Sequence, residues 1–314
     1  MAAADGSSAA AAASTIEDLH PDVLTGVLRL LGGPDLAAAS CATSHLRALA
    51  TQPHLWEALC LSAWPSLRLL PSSPASYRSL FSDAHTFPHP AAGARTAAGA
   101  PKPPPLLISA VDLLHGGKPV FSSVVETDAQ GPWFLCSPFR VDALGREDHP
   151  PSPAPVISTG DLYLSWVLID PANHRAVNLS SRRPVSLERL WYVGEIQARF
   201  AVVLDGGRAA ATVLVTWEEE TRQLREVTLV VEDVDGTCLN GKESLAILHG
   251  ALKGERKGGE GKGEADARRR YTEYVARKRE RKERALTQEG WLDMCCIALG
   301  ISLFLAFLVF VALR

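Results

Sequence analysis

Apolar residues follow three different rhythms along this chain. Between Pro21 and Trp56 they recur every three or four positions: Val23, Leu24, Val27, Leu28, Leu30 and Leu31, then Leu36, Cys41, Leu46 and Leu49. That is the period of helices with one apolar face. Between Leu162 and Val231 the period falls to two. Leu162, Leu164, Trp166 and Leu168 alternate with their neighbours, and Val227, Leu229 and Val231 do the same, as half-buried strands require. From Met294 to Leu313 the rhythm disappears, because no residue in that stretch is charged.

Breakers punctuate these regions. Ser14, Thr15, Ile16 and Glu17 have the spacing of a capping box. Pro21 and Asp22 open a first helix, and Gly32-Gly33 stops it. Pro34-Asp35 opens a second, Gln52-Pro53 breaks the chain again, and His54–Leu59 makes a short third. A three-helix module over residues 14–65 follows, small enough to lean on a partner. Residues 1–13 read as a disordered leader without the basic start of a secretory signal. Residues 66–104, rich in Pro, Ser and Ala and ending at Pro101-Lys-Pro-Pro-Pro105, read as a linker.

Residues 105–252 carry the strand signals. Asp170-Pro-Ala-Asn-His174 reads as a turn into a strand at Ala176–Leu179. Trp191–Leu204 and Thr212–Trp217 read as strands around a hairpin at Asp205-Gly206-Gly207. Glu243–Leu252 reads as a closing helix. The expectation is an antiparallel β-sandwich-like domain. Residues 253–264 are a Gly-rich charged hinge. Glu264–Glu289 then reads as a solvated stalk helix with Glu273/Arg277 and Glu280/Arg284 pairs and almost no apolar stripe. The expected class is α+β multidomain, with a helical module, a sandwich-like domain, a hinge and stalk over 253–290, and a transmembrane tail over 291–314.

The tail changes the picture most. About 20 residues at 1.5 Å each span roughly 30 Å, the thickness of the hydrocarbon layer. Only a helix satisfies its own backbone there. Trp291 sits at the entry, and residues 268–289 hold nine basic against four acidic residues. The positive-inside rule therefore places the body in the cytosol, giving a single-pass, C-terminally anchored protein. The basic run also suits contact with anionic headgroups. Cys295 and Cys296 stand at the membrane edge and are candidates for palmitoylation.

Charge and chemistry mostly exclude. The net charge is −3, and residues 16–65 hold two basic residues (Arg29, Arg47) against five acidic, so nucleic acid is not an expected partner. The six cysteines are scattered, without metal-ligand or disulfide spacing. His85 and His89 fall in the linker and are not expected to bind metal. No catalytic motif, metal site or cofactor site stands out. Glu232-Asp-Val-Asp-Gly236 lacks the later Glu of a calcium loop and reads as an acidic turn. Asn178-Leu-Ser180 is a glycosylation sequon that a cytosolic body leaves unmodified. Trp191, Tyr192 and Trp217 could line a site, although aromatic residues on strands usually fill cores.

One resemblance emerges from these residues. Leu19-His-Pro-Asp-Val-Leu24, Val27-Leu28-Arg-Leu-Leu31, Asp35-Leu36, Ser40-Cys41, Leu46-Arg47, Leu49 and Leu55-Trp56 resemble an F-box. More narrowly, the chain is similar to plant F-box proteins with a β-rich middle domain and a hydrophobic tail. His20 stands where that family usually has Pro, with Pro21 one place late. The resemblance implies contact with a Skp-type adaptor, and through it with a cullin–RING ubiquitin ligase. The positions carried over are Leu19, Pro21, Leu24, Leu28, Leu31, Leu36 and Trp56. It implies a non-enzymatic subunit in which residues 105–252 recruit an unidentified target and Met294–Leu313 hold the protein at a membrane. The alternative is a membrane-tethered lectin-like or scaffold protein.

Overall fold

In the computed structural model, residues 16, 19–89, 104–146, 161–257 and 262–314 are described. The leader, the capping-box positions Ser14, Thr15 and Glu17, residues 90–103 and residues 258–261 fall outside that set. Among the described residues the N-terminal region holds four α-helices rather than three: α1 (Pro21–Leu28), α2 (Gly33–Ala42), α3 (Ser44–Ala50) and α4 (Pro53–Ala63). The second expected helix divides at Thr43, whose backbone is extended and whose hydroxyl accepts from the Leu46 amide at 3.2 Å. A threonine that satisfies a helix-start amide competes with continuing the helix.

The described part of the segment read as a linker, residues 66–89, carries regular structure. It forms a 3-10 turn (Pro65–Leu69), α5 (Tyr77–His85) and β1 (Phe87–Pro88). Composition misled here because Leu67, Leu80, Phe81, Ala84 and Phe87, all buried, are interspersed among the prolines and serines. The hinge is also shorter than its glycines suggest. A helix, α7 (Gly241–Lys253), runs into it, and β11 (Arg256–Lys257) pairs with β1. Arg256 donates to the carbonyls of Ala176 (2.7 Å) and Leu252 (2.9 Å), which ties that end of the chain to the body.

The remaining strands make two antiparallel sheets. The first contains β2 (Leu106–His115), β3 (Lys118–Asp128), β5 (Leu162–Asp170) and β6 (Arg175–Asn178), in the order β3-β2-β5-β6. The second contains β4 (Arg140–Leu144), β7 (Ser186–Leu190), β8 (Glu195–Leu204), β9 (Ala209–Glu218) and β10 (Leu224–Asp233), in the order β4-β10-β9-β8-β7. A short helix, α6 (Pro132–Cys136), precedes β4. Val111, Leu164 and Trp166 of the first sheet share one hydrophobic cluster with Phe200, Val213, Val215 and Leu229 of the second, and α7 adds Leu245 and Leu248.

The turns expected at Asp170–His174 and Asp205–Gly207 are present. Asp170 accepts from the amides of Ala172 and Asn173, and Asp205, Gly206 and Gly207 all have positive φ. Trp191 and Tyr192, expected on a strand, instead occupy the β7–β8 turn and are 84 % and 68 % exposed. Trp217 is buried. The sequon Asn178 is buried too, with its amide nitrogen donating to Ser165 and its oxygen accepting from Trp166 and Ser180.

The final helix, α8 (Lys262–Ala312), is continuous over 51 residues. Up to Arg281 it is not a free stalk, whereas residues 282–288 are exposed as expected. Tyr274 is 2 % exposed and packs with Val203, Ala210 and Val234. Its hydroxyl donates to the Asp233 carbonyl at 2.8 Å, and burial pushes its pKa up. Lys278 meets Glu232 at 2.8 Å and Arg281 meets Asp235 at 3.0 Å. The acidic turn thus receives basic side chains of α8. Arg284 pairs with Glu280 as expected, whereas Glu273 faces Arg269 rather than Arg277.

Candidate docking surface

The seven positions carried over from the F-box pattern divide by burial. Leu24, Leu28, Leu36 and Trp56 lie in the interior, each no more than 4 % exposed. They pack with Leu49, Leu55, Trp64, Leu80 and Phe81. Trp56 donates its indole N–H to the Ala50 carbonyl at 2.8 Å, and its ring lies 5.5 Å from that of Phe81. Gly33 lets α2 approach this cluster, since a Cβ there would come within 2.0 Å of the Phe81 ring. Leu19 and Pro21 are exposed, and Leu31 is half-buried.

On the far side of α1 lies a stripe that sequence periodicity mixed with the core. Leu19, Val23, Val27 and Leu30 are 47 %, 53 %, 49 % and 86 % exposed. Val23 and Val27, four residues apart, share one face of α1, and Leu19 and Leu30 flank it just beyond the helix ends. The alternation of buried and exposed pairs (Val23 with Leu24, Val27 with Leu28) is the signal that distinguishes them, and it emerges only once the core is known. His20 causes no distortion at the helix start. Its backbone, at φ −58° and ψ 138°, is the conformation a proline would impose. Its Nδ1 also accepts from the Asp22 amide at 3.3 Å, while Pro21 occupies the first helical turn.

The module is bound to the first sheet. Ala110, Val167 and Ala176, on that sheet's outer face, complete the same hydrophobic cluster as the helices. Polar contacts reinforce the seam. Asp112 accepts from the Ser66 amide and from the hydroxyls of Ser66 and Ser122, and Asp83 meets Arg175 at 3.0 Å. Burial raises the Asp112 pKa, and the three serine hydrogen bonds oppose that shift. Cys60, enclosed in the cluster, has its thiol pushed up to about 12 by burial. Farther along, Met294–Ala312 is long and apolar enough to cross a membrane, with a mean hydropathy of 2.8 and no buried residue. Within it Cys296 is exposed and Cys295 partly so.

Exposed apolar residues on and beside α1 thus lie over a closed helical core that is held on the first of two antiparallel sheets. Relatives identify the family. The chain is 39 % identical over 318 residues to a probable F-box protein of Arabidopsis thaliana, covering 97 % of each. It is 34 % identical over 333 residues to a second F-box protein of that plant, covering 96 % of this chain and 97 % of the relative. A third, also 34 % identical, covers 85 % of this chain and 82 % of its own length. No family model matches the chain. The likeness spans far more than the helical module, and the chain belongs to the plant F-box protein family.

Proposed function

We propose that this protein is a membrane-anchored, non-catalytic substrate receptor of an SCF-type ubiquitin ligase. The observation that carries the reading is the exposed apolar set Val23 and Val27 on α1, flanked by Leu19 and Leu30, in a chain of F-box ancestry. Pro21 and Leu31 join that set, Leu19 included, against a Skp-type adaptor. Leu24, Leu28, Leu36 and Trp56 act from behind by holding the helix in place. Burying four aliphatic side chains at about 25 cal/mol per Å2 supplies the drive, as in helix-in-groove recognition. The two sheets form a sandwich that recruits the target, and Met294–Leu313 span the membrane with the body in the cytosol. Cys295 and Cys296 are placed for palmitoylation at its edge.

Co-purification with a Skp-type adaptor tests the central claim. Surface changes are the informative ones, because Leu24→Asp or Leu28→Asp would disrupt the fold itself. Val23→Asp with Val27→Asp abolishes adaptor binding while leaving the thermal transition in place. Full binding by that double variant would remove the reading. Resistance of the full chain to alkaline extraction from membranes tests the anchor separately.

A second reading draws on Trp191 and Tyr192, whose exposed rings meet edge-on with centroids 6.0 Å apart. Such a tip suits stacking on a sugar or a target side chain. Glycan binding by the full chain without adaptor binding would favour a tethered lectin-like scaffold.

A further inference from the structure

Where the helical module meets the first sheet there is a half-open cavity of about 880 Å3. That volume falls within the usual range of small-molecule sites. Its lining includes Leu31, Leu59 and Phe81 from the helices, the β2–β3 turn, and the start of β5. Three cationic side chains, Arg29, Arg182 and Arg183, line it against one carboxylate, Asp161.

Arg182 is the unusual member. It is 2 % exposed, and its backbone is left-handed at φ 64°. A residue other than glycine holds that conformation only when its surroundings enforce it. One guanidinium nitrogen donates to the His85 carbonyl, and the group lies over the Phe87 ring at 4.8 Å. Glu264 stands 3.6 Å from Nη1, an ion pair without a hydrogen bond. Nε and Nη1 have no hydrogen-bond partner among the described residues. Enclosed donors left unmet cost about 1–3 kcal/mol each. A cleft with low-dielectric walls and one predominant sign of charge concentrates the field inside it. Arg183, 65 % exposed, adds a second guanidinium at the rim, with the same Glu264 carboxylate 3.9 Å from its Nε.

We infer that this cavity is a binding site for a small amphipathic carboxylate. The hydrocarbon part lies against Leu31, Leu59 and Phe81, and the carboxylate turns toward Arg182 and Arg183. Such a ligand touches the helical module and the sheet together. The inference depends on neither the adaptor nor the membrane reading.

Calorimetry on the full chain in lipid nanodiscs tests it, with empty nanodiscs as the blank. The probes are 4-phenylbutyrate and its neutral counterpart 4-phenylbutan-1-ol. The acid binds at least about 10-fold more tightly than the alcohol, the margin of one charge-assisted contact. Arg183→Gln, at an exposed position, weakens the acid about 5-fold or more and leaves the alcohol unchanged. Ser62→Trp, on the exposed side of α4 where it fills the cavity, abolishes binding of both without moving the thermal transition. Equal binding of acid and alcohol, no binding of either, or acid binding indifferent to Ser62→Trp would each overturn the proposal. Equal binding with displacement of both by a Skp-type adaptor would mark the cavity as a seam of a protein interface instead, and the proposal would fall.

Discussion

Asp112 on β2 accepts two hydrogen bonds from Ser66, one from its amide at 2.8 Å and one from its hydroxyl at 2.5 Å, across 46 positions of sequence. Both residues are fully buried, so this contact is a polar rivet between the helical module and the sheet. Asp112→Ala leaves the Ser66 amide and two hydroxyls without their acceptor. A loss of about 1–3 kcal/mol of stability for each donor left unmet is expected, measured by urea unfolding of the full chain.

The same carboxyl imposes a pH dependence. Burial raises its pKa in the folded state above the ordinary 3.8. Between the unfolded and folded values the folded chain therefore holds more protons, and stability falls as pH rises through that window. Relative to Asp112→Asn, the wild-type chain loses stability as pH climbs from just below 3.8 toward the raised value, and the difference is constant above it. Parallel denaturation curves of the two proteins across that range check the sign.

Adjacent residues on α1 have opposite consequences. Leu24→Ala removes a side chain 2 % exposed and costs about 2–5 kcal/mol. Val27→Ala alters one 49 % exposed and stays within about 0.5 kcal/mol for the protein alone, yet weakens adaptor binding. Thermal melts paired with adaptor titrations separate the two effects.

Thiol reactivity follows burial. Cys41, Cys136 and Cys238 are exposed, whereas Cys60 is buried with its pKa at about 12 and its thiol directed to the Tyr77 carbonyl. Iodoacetamide at pH 8 alkylates the first three and spares Cys60 until the chain is denatured, as peptide mass spectrometry would register.

Helix α8 is held by its tyrosine more than by its charges. Tyr274→Ala removes a buried ring and should raise amide exchange over residues 266–280 by an order of magnitude or more. Lys278→Ala breaks a contact whose lysine is 34 % exposed, worth under about 1 kcal/mol, and leaves that exchange nearly unchanged.

Periodicity alone was sufficient for some features. The Leu162–Leu168 alternation, the turns at Asp170 and Asp205, the helix near Glu243–Leu252 and the uncharged run from Met294 are local patterns, and local patterns are visible in sequence. The resemblance to plant F-box proteins was legible in the same way, and the relatives bear out that family. Which apolar residue on α1 faces inward was not, because Val23 and Leu24 are equally apolar and only packing against Trp56 and Phe81 separates them. Residues 66–89, within the expected linker, and 264–281, within the expected stalk, were misread for a related reason. Their partners are distant in the chain: Ser66 needs Asp112, and Lys278 needs Glu232. Burial and pairing across such separations depend on the closed chain, so the tertiary structure decided the exposed stripe, the rivet at Asp112 and the enclosed guanidinium of Arg182.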